Sequence, residues 1–350
     1  MNTFDTTLPA APRAVSAVHS THKFKLLLKR EFWEHKGGFF WAPMIAGGIS
    51  LLLSMMAIVV GMVAARRAAA DGTLSIDGVN INGLDLGQIT SQMGAKEMAQ
   101  FAQGIDLTLF LSSAWPFIVL GFVVFFYCLG ALYDERKDRS VLFWKSLPLS
   151  DTQTVLSKVI SALVVAPLIA VIAGIITMFG FMLVISIVAL MHGGSPMTLI
   201  WGPASPLTLA AGHLAWIPVY ALWALPTAGW LLLCSAWART KPFLWAVMLP
   251  LFAGVIVSTT KVMPLIGLTT GWFWQNIVGR LLLGGVPGTD LVYRLSAEEG
   301  TRRDLESVVS LMSPASQLKS LAMPELWIGA AVGVVFIVLA IRLRKRAGEI

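Results

Sequence analysis

The sequence predicts an all-α polytopic membrane protein: six transmembrane helices, an N-terminal interfacial helix, and an outer re-entrant segment before the last span. Three observations carry that prediction. Of 350 residues, 56% are apolar and only 13% charged, where soluble domains run at about 45–50% and about 25%. So little charge cannot cover a water-facing surface, and the mean hydropathy of +0.75 agrees. Finally, six apolar runs reach the length of about 20 residues needed to cross about 30 Å of hydrocarbon. The same composition excludes a disordered, collagen-like, coiled-coil or disulfide-stapled chain. Cys128 and Cys234 each lie inside an apolar run and read as buried thiols.

The runs are Phe39–Ala65, Thr108–Tyr133, Val159–Met191, Leu207–Ala236, Phe243–Thr260 and Glu325–Ile341. The third is long enough to project from the bilayer or to bend at Pro167. A first span too long for a signal h-region, behind a polar and then basic stretch, predicts an uncleaved chain. Placing both termini in the cytoplasm puts 17 of the 26 Lys and Arg residues inside. Arg66 and Arg67 break the trend, but the inverted chain fits worse. The net charge of +7 is therefore a topology signal, not a sign of nucleic acid. Gly271–Gly285 is apolar but short, and it carries Asn276 and Arg280. A seventh span there would move Arg342–Arg346 outside, so a re-entrant segment fits better.

This organises the chain as residues 1–37, a cytoplasmic segment with an interfacial helix, and 38–350, the membrane domain. Within the latter lie an outer loop (66–107), a cytoplasmic loop (134–158) and an outer segment (267–323). Leu74–Ile81 alternates about Asp77-Gly78, the pattern of a small hairpin. Gln92–Gly104 reads as a short helix leading into the second span. None of these pieces is large enough for an ATPase or an independent enzyme domain.

Two cytoplasmic stretches stand out. In Lys23–Lys36, Phe24, Leu27, Leu28 and Phe32 share a helical stripe flanked by Lys25, Lys29 and Lys36, with Leu26 and Trp33 off it. An interfacial helix and a plain positive-inside anchor are both consistent with this. Asp134–Lys158 opens on a mixed-charge run, continues through apolar Val141–Trp144 to Leu147-Pro148, and offers Ser150 or Asp151 as a cap for the third span. It reads either as a helix that fits a groove on a soluble partner or as a solvated loop.

Catalytic signatures are missing. There is no phosphate-binding G-x-x-x-x-G-K-[ST] loop and no H-E-x-x-H. The five histidines read as lying at or outside span ends without metal-ligand spacing, and no Ser/His or Cys/His pair sits at matching depth. Between their ends the spans lack Asp, Glu, Lys, Arg and His, which argues against a self-powered ion-coupled carrier. Gly329-Ala-Ala-Val-Gly333 is a close-packing motif of the last span. Trp216, Trp223, Trp230 and Trp237 recur every seven residues, so in a continuous helix they share one slowly drifting face. That stripe reads as packing or as an aromatic wall for an apolar or amphipathic substrate.

The layout resembles the permease subunit of ABC-2 type exporters, as does the wording of LLLKREFWEHKGGFFWAP at Leu26–Pro43 and ALYDERKDRSVLFWKSLPLSDTQTVLSK at Ala131–Lys158. The resemblance spans essentially the whole chain, and the importer-type EAA loop is not visible. It implies a multi-pass plasma (inner) membrane protein that is not itself an enzyme. Two permease chains, as a homodimer or heterodimer, would pair in the lipid bilayer and bind separate ATP-binding subunits holding the ATP and Mg. Contact with those subunits would fall on Lys29, Arg30, Glu31, Glu135, Arg136, Lys137, Asp138, Arg139, Ser140, Leu147 and Pro148. The expected function is ATP-driven export of a substrate that the sequence does not identify. The rivals are a membrane anchor or sensor that recruits a soluble partner, and an ion-coupled secondary carrier.

Overall fold

A computed structural model describes residues 20–70, 75–76, 79–80, 94–139, 149–260, 262–265, 267–297 and 305–346. These residues are helical apart from turns and one minimal hairpin, β1 (Ser75–Ile76) antiparallel to β2 (Val79–Asn80), placed where the alternation about Asp77-Gly78 predicts it. Five helical segments are long and apolar enough to cross a membrane, and a bent pair makes a sixth.

Helix α1 (Ser20–Glu34) leads through a π turn at Gly37–Trp41 into α2 (Ala42–Ala70). Of its stripe, Leu27 is buried within the protein and Phe24, Leu28 and Phe32 are partly buried, while Leu26 and Trp33, off the stripe, are exposed. The second span begins earlier than the hydropathy run. α3 (Ala95–Ser112) absorbs the helix expected at Gln92–Gly104 and continues into α4 (Ala114–Gly130) and the short α5 (Tyr133–Lys137). The Glu97 carboxylate accepts from the Gly94 backbone N–H at 2.8 Å and closes the start of α3.

The third span joins α6 (Asp151–Ile160) to α7 (Ala166–Met191) through a second π turn at Ser161–Val165. Ser150 is its cap. The Ser150 hydroxyl accepts from the Gln153 N–H at 3.2 Å, and the Gln153 side chain accepts from the Ser150 N–H at 3.4 Å. The π turns at Gly37–Trp41 and Ser161–Val165 each end two residues before a proline, Pro43 and Pro167. Proline cannot donate to the preceding turn and its ring crowds the carbonyl there, so the ladder widens by one residue instead of breaking.

The fourth span does break. α8 (Pro206–Trp223) and α9 (Leu225–Trp237) meet at Ala224 with a 48° bend, because Pro226 cannot continue the ladder. α10 (Pro242–Thr260) and, much later, α11 (Pro324–Arg346) complete the set. α9 and α11 approach very closely. A Cβ added to Gly229 would lie 2.6 Å from the Gly333 carbonyl oxygen, and one added to Gly333 would lie 2.6 Å from the Leu225 carbonyl carbon. The G-x-x-x-G motif therefore packs α11 within its own chain.

Between α10 and α11 the chain turns inward. A helical stretch from Thr270 to Leu283 ends at Gly284, and α12 (Thr289–Ala297) follows a turn in which Gly288 has φ +88°. The turn is wedged among the spans: the Tyr220 hydroxyl donates to Gly285 O at 2.8 Å, and Thr227 donates to Arg280 O at 2.6 Å. Buried residues gather in two main cores. One holds Leu120, Val124, Cys128, Val155, Val159, Leu231 and Leu232; the other holds Leu109, Met178, Met182, Leu209 and Met312. Cys128 and Cys234 are buried free thiols.

Candidate functional site

Four elements meet at one end of the bundle around a buried cluster of ionised side chains. Lys158, on the last turn of α6, reaches Glu31 of α1 and Glu135 of α5, each at 3.0 Å. Glu31 and Lys158 are essentially sealed from solvent, and Glu135 is 8% exposed. Arg344 of α11 pairs with the other oxygen of Glu135 and reaches Asp151, on the first turn of α6, at 3.0 Å. Tyr127 of α4 donates its hydroxyl to Glu31 at 2.8 Å, and the His35 ring stands edge-on to Tyr127 at 4.7 Å.

The local folding explains the convergence. Glu31 lies on the packed side of α1, one turn beyond buried Leu27. The Ser150 cap fixes the start of α6, so that Asp151 and Lys158, two turns apart, face the same neighbours. α11 is long enough, 23 residues or about 34 Å, to carry Arg344 to this end. Removing charges from water is costly, and a buried cluster survives only when every member is compensated. Here each carboxylate has a cation and each cation has two carboxylates.

A second clamp lies alongside. Arg136 Nη2 donates to the carbonyls of Ser235 and Ala238, the latter at 2.9 Å, capping the end of α9. In return the Ser235 hydroxyl accepts the backbone N–H groups of Leu132 and Tyr133, at 3.0 and 2.9 Å. The second, third, fourth and last spans and α1 are thus stitched together at one end.

This geometry divides the residues expected to contact an ATP-binding subunit. Glu31 and Glu135 are buried in the cluster, and Arg136 is half-buried against α9, so their side chains hold the chain to itself and present no free contact surface. Arg30 pairs with Glu34 at 3.1 Å along α1. Lys29, Lys137, Asp138 and Arg139 are exposed. Arg139 has φ +55°, which ends the helix at the loop entrance. Ser140, Leu147 and Pro148, with the apolar Val141–Trp144, lie outside the described residues.

Sequence reasoning used Lys158 and Arg344 as topology markers and Asp151 as a possible cap, and did not single out Tyr127. The signal for Lys158 was its place on the apolar side of α6, among Thr154, Val155 and Val159, all buried.

The tryptophans do not form one continuous face, because the break at Ala224 falls between Trp223 and Trp230. Two are held by α12, Trp216 Nε1 donating to Asp290 at 3.3 Å and Trp223 to Thr289 at 3.1 Å, while Trp230 donates to Ala246 O of α10 at 2.9 Å. Trp237 packs edge-on to Trp245 at 5.1 Å between centroids. These are contacts between helices, and Trp216 also borders the cavity beside Ser113 and His213.

Away from the ion cluster, two sequence expectations are corrected. His213 lies within α8, not at a span end, and is buried. Its Nε2 is 3.1 Å from the Ser113 hydroxyl, so a Ser/His pair at matching depth does exist. Its Nδ1 faces Leu209 O at 2.7 Å, and the Ser113 hydroxyl also reaches Phe110 O at 2.6 Å, so its single proton has two acceptors within reach. The pair lines a cavity of about 150 Å³ with Phe117, Trp216, Asp290 and Gln317. Burial pushes the Asp290 carboxyl above the usual carboxylate range, against the pull of Arg294 at 3.6 Å. Among the described residues no group of three His, Cys, Asp or Glu side chains has the spacing to hold a metal ion.

No known family, curated protein or solved structure matches the chain.

Proposed function

We propose that the chain is the transmembrane subunit of an ATP-driven ABC-2 type exporter, worked by a separate ATP-binding subunit from the cytoplasm. In this reading the ion-cluster end is cytoplasmic, both termini are inside, and the Thr270–Leu283 stretch is a re-entrant segment. The observation that carries the proposal is the buried Glu31–Lys158–Glu135–Arg344–Asp151 cluster. It makes α1, the loop entrance and the ends of three spans one mechanical unit, and it sets exposed Lys29, Lys137, Asp138 and Arg139 on that unit's surface. Force applied to those charges reaches the spans because a buried cluster with every charge compensated resists being opened.

Mild-detergent purification followed by an ATPase assay tests the proposal. A stoichiometric ATP-binding partner is expected, with hydrolysis that depends on the complex. A chain that purifies alone and conducts solute down a gradient in liposomes overturns it.

One observation favours a second reading, the ion-coupled carrier. His213 and Asp290 face one cavity away from the cytoplasmic cluster, and ionisable groups inside a bundle are typical of proton pathways. Proton-driven flux by the chain alone, lost in His213→Gln, would select that reading.

A further inference from the structure

Arg280 is a cation with no anion in contact: Glu325 attracts it, but from beyond ion-pair distance. It follows the π turn at Trp274–Gly279, and its guanidinium extends to the first turn of α11, the end of that helix away from Arg344. There Nη1 donates to Glu325 O at 2.7 Å and Nη2 to Leu326 O at 3.4 Å, while the guanidinium carbon lies 4.2 Å over the Trp223 ring. A Cβ at Gly329 would collide with the guanidinium, so glycine is what gives it room. No ion pair to Arg280 forms among the described residues, and its Nε is buried without a hydrogen-bond partner. A cation held at the start of α11 by carbonyls and an aromatic face, with its nearest carboxylate beyond ion-pair distance, is open to a bound anion.

The groove beside it, about 220 Å³, is also lined by Trp272, Asn276, Phe336 and Glu325. The Glu325 side chain is half-buried and makes no ion pair among the described residues. One groove thus presents a cation and a carboxylate that attract each other but form no ion pair. Along α11 below it, Ile328, Val332, Val335 and Leu339 form an exposed apolar stripe running down the helix.

We propose that this groove binds the headgroup of a zwitterionic phospholipid with a primary amine, its phosphate at Arg280 and its ammonium at Glu325. The acyl chains lie along the Ile328–Leu339 stripe. A phosphate and an ammonium joined by two carbons match the opposed charges of the groove. An anionic headgroup would leave Glu325 repelled, and a trimethylated amine has no N–H to give it.

The test is lipid titration of the delipidated, full-length chain in detergent, read by native mass spectrometry. Phosphatidylethanolamine is expected to bind roughly tenfold tighter than phosphatidylglycerol or phosphatidylcholine, the worth of one charge-assisted hydrogen bond. In Glu325→Gln that preference is lost while phosphatidylglycerol binds at least as well as before. In Arg280→Gln all three phospholipids weaken. Equal binding of the three lipids by the unmodified chain, or an undiminished ethanolamine preference in Glu325→Gln, overturns the proposal. Glycerophosphoethanolamine is expected not to compete at concentrations where the lipid saturates; equal competition would mark a site for a soluble phosphoester and overturn it too. The Glu325 side chain makes no hydrogen bond or ion pair among the described residues, so its variant remains informative if Arg280→Gln fails to fold. No ATP-binding partner is needed, so the outcome is separate from that of the transport proposal.

Discussion

Lys158 and Glu31 stand 127 positions apart in the sequence, yet their side chains form a 3.0 Å ion pair closed off from water. The contact joins the first helix to the start of the third span, and Lys158 carries it on to Glu135.

Replacing Lys158 by Met leaves the Glu31 and Glu135 carboxylates buried without their shared cation. The expected loss is about 3–5 kcal/mol, read as a lower midpoint of thermal unfolding in detergent. The double variant Lys158→Met, Glu31→Gln should lose less than the sum of the two single changes, because the partners share one cluster.

Charge reversal at exposed Lys29, Lys137 or Arg139 should behave in the opposite way. Stability is expected to stay within about 0.5 kcal/mol, while co-purification of the proposed ATP-binding subunit falls in the combined variant. Equal loss of stability and of partner would assign these residues to folding instead.

Gly229→Ala pushes a methyl group against the Gly333 carbonyl. Rigid backbone on both sides leaves little to yield, so destabilisation of about 1–3 kcal/mol is expected. Gly48→Ala, where a Cβ meets nothing within 4 Å, is the matching control and should be neutral or slightly stabilising.

Asp290 gives a pH signature. Its folded-state value is raised by burial, so the folded chain holds this proton more tightly than the unfolded chain does. The associated stability is fully present below the ordinary aspartate value of about 3.9 and is lost as pH rises through the folded value. Asp290→Asn should flatten that part of the profile. The difference between the two melting curves isolates Asp290 from Arg294 and His213, which face it.

The spans were legible because length and hydropathy suffice to mark them, and Pro167 stood beside one of the irregularities the structure displays. Ser150 was one of the two caps the sequence offered, and its reciprocal bonds with Gln153 decide between them. The ion cluster was not. Glu31 and Glu135 sit in charge-rich stretches that look solvated, and what buries them arrives from distant segments: Arg344 is 209 positions from Glu135. His213 escaped because a single imidazole hardly lowers the hydropathy of an apolar run, so its depth was not evident. The tryptophan spacing misled because periodicity assumes an unbroken helix, and Pro226 ends that assumption.

The order of synthesis gives the cluster one more meaning. Glu31 leaves the ribosome early, Lys158 midway, and Arg344 long after both. Until Arg344 arrives, Glu31 and Glu135 share Lys158 while Asp151 has no cation of its own in the cluster, and the assembling bundle carries an excess of negative charge there. The final helix therefore acts as a latch: a nascent chain interrupted before it is electrically incomplete, and so distinguishable to the cell's quality control from one that has been finished.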